Sequence, residues 1–205
     1  TIARLIARLT DPTLGRVHIG GVSLTDVAND ELRRRLIVVP QEPFLFANTI
    51  EYNLQFADPH ATSQSMFDSF AELGLSDWLE SLPLGLQTHV GQRGSALSAG
   101  ERQLVALVRA SIVKPDVLVL DEATSSVDSL TEVRISRALE RLALGRTTIS
   151  IAHRLSTASR ADRVIMLEHG RIVEDGSHLA LISAGGKYAS LYETWINSTS
   201  GIGNE

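Results

Sequence analysis

Short apolar runs recur along this chain, with helical patterns between them. Residues 36–39 and 117–120 are apolar throughout, and residues 147–151 form a further segment of strand length. Such uninterrupted runs are typical of strands buried on both faces, as in parallel sheets. Strands that alternate with helices indicate a sheet covered by helices on both sides. The sequence therefore predicts an α/β fold with a mainly parallel sheet flanked by helices.

The remaining sequence divides into helices, two further strand regions and a tail. Residues 48–82 are helical but broken by Pro59, Gly74 and Pro83, which predicts a small helical subdomain. Residues 16–19 read as a strand before Gly20-Gly21, and a hairpin turns at Gly170. Other helices are expected at 1–9, 30–35, 100–113, 131–142, 177–183 and 187–196. We divide the chain into a partial core (1–53), a helical subdomain (54–113), the rest of the core (114–197) and a loose tail (198–205).

Composition excludes several classes of function. The 205 residues carry a formal charge of −5 without a dominant basic stripe, which argues against a nucleic-acid partner. The chain has no cysteine, so it has neither disulfides nor thiolate metal sites. No apolar run approaches the roughly 20 residues of a membrane-spanning helix. Any role at a membrane must therefore come through a partner or through segments other than these residues.

Two adjacent acids, Asp121 and Glu122, directly follow the apolar run 117–120. Ligands of open α/β sheets bind at the carboxyl ends of the strands, and unpaired carboxylates are costly to bury. One interpretation is a solvated acidic turn. The other is that Asp121 holds Mg²⁺ while Glu122 polarises an attacking water as a general base.

Residues 98–101 open the predicted long helix. Ser98 followed three residues later by Glu101 is a capping box, which needs no ligand. A helix N-terminus can also bind an anion. The two roles are compatible, since Ser98 can cap the helix while its hydroxyl and the Gly100 N–H face a phosphate.

Gln41 and His153 each follow a predicted strand. Either residue alone is compatible with a purely structural role. As functional groups, the side-chain carbonyl of Gln41 is a candidate ligand for the metal. His153 is a candidate contact for a terminal phosphate, at the same sheet edge as Glu122.

The order and spacing of these features resemble the nucleotide-binding domain of ABC transporters over nearly the whole chain. That resemblance implies a P-loop NTPase-like fold with an inserted α-helical subdomain, ATP and Mg²⁺ as cofactors, and Asp121 and Gln41 as metal ligands. It also implies Glu122 and His153 as catalytic residues, and a nucleotide contact for Gln41. The matching segments are Gln41 (glutamine loop), residues 97–101 (signature motif), Val117–Asp121 (Walker B strand), Glu122 (catalytic glutamate), residues 125–128 (D-loop) and His153 (switch histidine).

Two further segments are similar to exporters of the multidrug, lipid and peptide type. Residues 88–94 match the exporter-specific loop, and residues 43–50 match the segment after the glutamine loop. The resemblance implies that the 41–50 and 88–94 loops contact transmembrane domains at the cytoplasmic face of a membrane. It also implies a second nucleotide-binding domain as partner, homologous or identical, whose ATP would meet Ser98, Ala99, Gly100, Glu101 and Asp128.

The chain departs from the family pattern in two places. The glycine-rich phosphate loop (Walker A) does not occur in these residues, and helix 1–9 resembles the helix that follows it. We therefore expect a domain truncated after that loop and inactive as an ATPase by itself. Ala99 and Glu101 also stand where the signature usually has Gly and Gln, which we expect to weaken or tune the partner's site.

Two other functions fit parts of the sequence. A soluble ABC-type ATPase acting on nucleic acid or the ribosome would be expected to have basic surfaces or coiled-coil insertions, and the 88–94 loop counts against it. A non-catalytic nucleotide-sensing domain fits the missing phosphate loop but not Glu122 and His153. The transported substrate cannot be read from these residues.

Overall fold

The computed structural model describes residues 2–121, 128–152 and 155–200, with side chains to residue 197. Contacts divide the chain into two compact units, 1–151 and 152–205. In the first unit the strands are β1 (His18–Ile19), β2 (Val22–Ser23), β3 (Leu36–Val39), β4 (Val117–Asp121) and β5 (Thr147–Ile151). Its helices are α1 (Ile2–Ile6), α2 (Asn29–Arg35), α3 (Ile50–Gln55), α4 (Ser63–Leu73), α5 (Ser76–Ser81), α6 (Ala99–Val113) and α7 (Ser129–Ala143).

The central sheet of the first unit is parallel, with strand order β3-β4-β5. Leu36 pairs with Val117, Val39 with Leu120, and Asp121 with Ile151. Alternate residues of β4 point to opposite faces. Leu118 joins the apolar cluster formed with helices α3–α7, whereas Val117 and Val119 join a second cluster with α1 and α2. The predicted parallel sheet with helices on both faces is therefore confirmed.

Helices α3 to α6 pack around a dense apolar core. Phe70, Leu104 and Leu107 are fully buried there, and Trp78 is 2% exposed. Thr62 and Ser65 form a capping box at the start of α4, and Gly74 ends this helix in the left-handed conformation at φ 69°. The break predicted at Gly74 is therefore confirmed. Glycine suits this position because only a residue without a Cβ enters the left-handed conformation at no steric cost.

Among the residues that the structure describes, the second unit contains an antiparallel hairpin and three helices. The hairpin strands are β6 (Val164–Glu168) and β7 (Arg171–Gly176), and the helices are α8 (Leu155–Ser159), α9 (His178–Ala184) and α10 (Lys187–Ser200). Glu174 accepts hydrogen bonds from the backbone N–H groups of Lys187 (2.6 Å) and Tyr188 (2.9 Å), which caps the first turn of α10.

Some boundaries differ from the sequence expectation. Helix α6 begins at Ala99, one residue early, and α7 begins at Ser129, two residues early. Helix α10 runs to Ser200, so the first residues of the expected tail 198–205 are helical. Residues 187–200 contain no Pro or Gly, so no strong helix breaker ends α10 before Gly201. The division into a core and a helical subdomain stays a prediction.

Candidate functional site

The parallel strands end together at one edge of the sheet, which carries part of the candidate site. Val39, the last residue of β3, pairs with Leu120, and Asp121, the last residue of β4, pairs with Ile151 at the end of β5. Gln41 follows β3 by two residues and is exposed, while Asp121 is half-buried. The structure thus brings Gln41 and Asp121 to the same edge. Glu122, His153 and residues 125–127 lie outside the described residues.

Ser98 and Glu101 form the capping box that the sequence predicts. The Ser98 Oγ accepts a hydrogen bond from the Glu101 N–H (3.2 Å), and Glu101 Oε2 accepts one from the Ser98 N–H (2.8 Å). Helix α6 therefore begins with two of its free N–H donors satisfied by its own side chains. Ser98 and Ala99 are exposed at this end of the helix, and Gly100 is buried.

Glu101 has a second hydrogen-bond partner, which sequence reasoning missed. Its Oε1 accepts a hydrogen bond from Trp78 Nε1 at 3.3 Å, across 23 residues of sequence. Burial acts to raise the pKa of the Glu101 carboxyl, but the hydrogen bonds from Ser98 and Trp78 hold this pKa below its ordinary value. Glu101 is therefore a charged group that is engaged through both oxygens.

Asp128 caps the next helix of the site. Its carboxylate accepts a hydrogen bond from the Thr131 N–H (3.0 Å) at the start of α7, and bonds from Thr131 lower the pKa of Asp128. The charge of Asp128 also acts to raise the pKa of Glu101. Helix α6, which begins in the signature segment (residues 97–101), packs against α7, which begins directly after Asp128.

The predicted exporter loop, residues 88–94, pairs with the segment that follows Gln41. The Ile50 N–H donates to the Thr88 carbonyl (3.0 Å), and the Val90 N–H donates to the Asn48 carbonyl (3.0 Å). Gly91 has φ 74°, and a Cβ there would lie 2.7 Å from Ser95 Oγ and 3.1 Å from Ala96 N. Glycine is therefore required at position 91. The hydrogen bonds between the two segments join the 41–50 and 88–94 loops, both predicted to contact a partner, into one surface.

Arg109 of helix α6 holds this same surface in place. Its guanidinium donates to the carbonyls of Phe44 (2.7 Å) and Asn53 (2.8 Å), and also to the Asn53 side chain. Asn53 is fully buried and exchanges hydrogen bonds with Phe46 (2.9 and 3.0 Å). Burial lowers the pKa of Arg109 to about 10. No periodicity signals this network, because its members are far apart in the sequence.

Four aromatic residues lie beside these loops. The ring of Phe46 contacts those of Phe44 (5.2 Å between centroids), Phe56 (4.4 Å) and Tyr52 (6.3 Å). Phe44, Phe56 and Tyr52 are 55%, 62% and 45% exposed. Exposed apolar patches of this kind mark interaction surfaces.

A cluster of metal-ligating side chains and a membrane-spanning helix are both absent from the described residues. Within residues 2–121, 128–152 and 155–200, no group of three or more His, Cys, Asp or Glu side chains is arranged to hold a metal ion. In the same part of the chain, no helix combines the length and the apolar character needed to cross a membrane.

Comparisons with known proteins identify the class. A family model described as ABC transporter matches residues 1–125, more than half of the chain. The chain is 43% identical over 191 residues to the ABC transporter ATP-binding protein YknV of Bacillus subtilis (strain 168), covering 93% of the chain and 32% of that protein. It is 44% identical over 193 residues to the ATP-dependent lipid A-core flippase of Bordetella avium (strain 197N), covering 94% and 33%.

A solved structure is similar over almost the same length. It is that of a bacterial Atm1-family ABC exporter with ATP bound, with a TM-score of 0.86 and 40% identity, covering 95% of this chain and 34% of that one. The chain therefore belongs to the ABC transporter family. The predicted resemblance to the nucleotide-binding domain of exporters is confirmed. The chain spans about a third of the length of these three proteins.

Proposed function

We propose that this chain is the larger part of the ATP-hydrolysing domain that powers substrate export by a membrane transporter. The observation that carries the proposal is the common edge where β3, β4 and β5 end, because Gln41, Asp121, Glu122 and His153 all lie at or just beyond it in sequence. Ligands of open α/β sheets bind at this edge. By itself, without a glycine-rich phosphate loop among residues 1–205, the chain is expected to bind ATP poorly and not to hydrolyse it.

Oxygen ligands at this edge suit Mg²⁺. The amide oxygen of Gln41 and the carboxylate of Asp121 are the two described candidates. Mg²⁺ usually takes only one or two protein ligands and completes its coordination with substrate phosphates and water. Gln41 and Asp121 would therefore hold the ion together with ATP, and the ion would neutralise charge that develops on the phosphates.

Glu122 and His153 are assigned the chemical roles. Glu122 would accept a proton from the water that attacks the γ-phosphate, and His153 would contact that phosphate and orient the water. Catalysis of phosphoryl transfer consists mainly of positioning and electrostatic stabilisation. A carboxylate and an imidazole at the strand ends suit both tasks.

The signature segment and Asp128 would serve a second nucleotide-binding domain. The exposed Ser98 and Ala99 lie at the start of α6, where the helix dipole favours a phosphate. Gly100 and Glu101 follow them in sequence, and Asp128 caps α7, which packs against α6. We propose that ATP held by the partner domain contacts this end of α6, and that Asp128 links the two sites across the dimer.

Transmembrane domains are the second proposed partner. The paired loops 41–50 and 88–94, with the exposed Phe44 and Tyr52, form the surface that would receive them. The domain would then lie at the cytoplasmic face of the membrane. The relatives include a flippase and an exporter, which favours transport over a soluble ATPase that acts on nucleic acid.

Substitution of Glu122 by Gln in the whole transporter tests the proposal. The amide keeps the shape of the side chain but cannot accept the proton, so ATP hydrolysis should fall by about 10²–10⁴-fold while ATP stays bound between the two domains. Glu193→Gln, which changes an exposed glutamate of α10, is the matched control and should hydrolyse ATP at the parent rate. Continued turnover by the Glu122 variant would refute the assignment.

A further inference from the structure

Both oxygens of the Glu101 carboxylate have hydrogen-bond donors within this chain. Its two oxygens accept hydrogen bonds from Trp78 Nε1 (3.3 Å) and from the Ser98 N–H (2.8 Å). The indole lies in the core of the helical region, where Trp78 is 2% exposed and its ring lies 6.0 Å from that of Phe70. A buried indole N–H requires an acceptor, and in this fold the acceptor is Glu101.

Two donors facing one side chain favour a carboxylate over an amide. An ionised Glu is an acceptor through both oxygens, whereas Gln has one acceptor oxygen and one NH₂ donor. With Gln at position 101, either the Trp78 N–H or the Ser98 N–H would face another donor. The Glu at position 101 is therefore complementary to Trp78.

A free carboxylate at this helix end would oppose ATP binding. Two like charges about 4 Å apart repel each other even in water, and they repel more strongly near a protein surface. The pKa of Glu101 lies below its ordinary value, so the group is charged at neutral pH. Its hydrogen bonds with Trp78 and Ser98 keep this charge in the cap of α6.

We propose that Trp78 is a positioning residue for the signature segment: its indole N–H holds the Glu101 carboxylate in the helix cap and away from the phosphate of the partner domain's ATP. The inference rests on the proposed function, since it assumes that ATP contacts the start of α6. It connects α5 to the affinity of the site where the partner domain's ATP contacts the start of α6, because any displacement of Trp78 releases a negative charge next to the nucleotide.

The test compares the parent transporter with Trp78→Phe, Glu101→Gln and the double variant. Trp78→Phe removes the N–H and keeps an aromatic ring, so the KM for ATP should rise about three- to tenfold, with kcat changed less than about twofold. The double variant should return the KM to within about twofold of the parent, because the released side chain is then neutral. Trp195→Phe, at the other tryptophan of the chain, is the control and should leave the KM unchanged.

Thermal unfolding of the same four proteins is the second measurement, and it does not require Trp78→Phe to be active. Glu101→Gln should lower the unfolding midpoint more when Trp78 is present than when Phe replaces it, because only the indole loses its acceptor. An unchanged KM for ATP in Trp78→Phe would overturn the inference. Strictly additive effects of Trp78→Phe and Glu101→Gln on the unfolding midpoint would also overturn it. If Glu122→Gln abolishes ATP turnover but the Trp78 variants have the KM of the parent, only this inference fails. If Glu122→Gln turns over normally, the proposed function fails.

Discussion

Arg109 lies on α6 and donates to Asn53, 56 residues earlier in the chain. All of its acceptors described above are neutral oxygens, among them the backbone carbonyls of Phe44 in the loop after Gln41 and of Asn53 in α3. A half-buried cation is costly unless its donors are satisfied. The helix that begins with the signature segment is therefore joined directly to the proposed partner surface.

Replacement of Arg109 by Met should destabilise the protein strongly. The substitution keeps the apolar stem but removes the Arg109 donor from two carbonyls and from Asn53 Oδ1, which keeps only the Phe46 N–H, at an expected loss of about 2–3 kcal/mol in the free energy of unfolding. Arg137→Met, at an exposed position of α7, is the control and should change this free energy by less than about 0.5 kcal/mol. Urea unfolding followed by circular dichroism measures both values. Equal effects at the two positions would show that the network contributes nothing.

Elements were predictable from the sequence where local signals decide them. The apolar runs located β3 and β4, the segment of strand length at 147–151 located β5, and Ser98 with Glu101 marked the start of α6. The contacts of Trp78 and Arg109 could not be predicted, because they join elements whose relative placement depends on the packed core. The candidate site was predicted in the same uneven way: Gln41 and Asp121 are brought to one edge, whereas Glu122 and His153 fall outside the described residues.

Gly74, between α4 and α5, gives the element-scale prediction. Its φ of 69° strains any residue with a Cβ, and a Cβ there would also lie 2.8 Å from Cζ of Arg141. Gly74→Ala should lower the free energy of unfolding by about 1–2 kcal/mol. Gly145 is the matched control, because it has φ 71° and nothing within 4 Å of a built Cβ.

The two glycine variants separate backbone strain from crowding. Gly145→Ala should lower the free energy of unfolding through backbone strain alone. Gly74→Ala should lower it somewhat more, because the Arg141 side chain must also move. In an Arg141→Ala background the two losses should become equal. A Gly74→Ala variant as stable as the parent would contradict the left-handed helix end.

At the scale of the whole molecule, three surfaces have proposed roles. The strand ends carry the proposed metal ligands, the start of α6 is the proposed contact for a partner's nucleotide, and the paired loops 41–50 and 88–94 are the proposed contact for transmembrane domains. Residues 2–121 contain parts of all three, and Arg109 joins the second to the third.

The most direct measurement is a structure of the whole transporter carrying Glu122→Gln, determined with Mg²⁺ and ATP. We expect the oxygens of Gln41 and Asp121 about 2.0–2.1 Å from the ion, or one water further away. Position 122 and His153 should lie at the γ-phosphate, with the partner domain's copy of the signature segment on its other side. A nucleotide bound elsewhere, or Gln41, position 122 and His153 on separate flanks of the domain, would contradict the account.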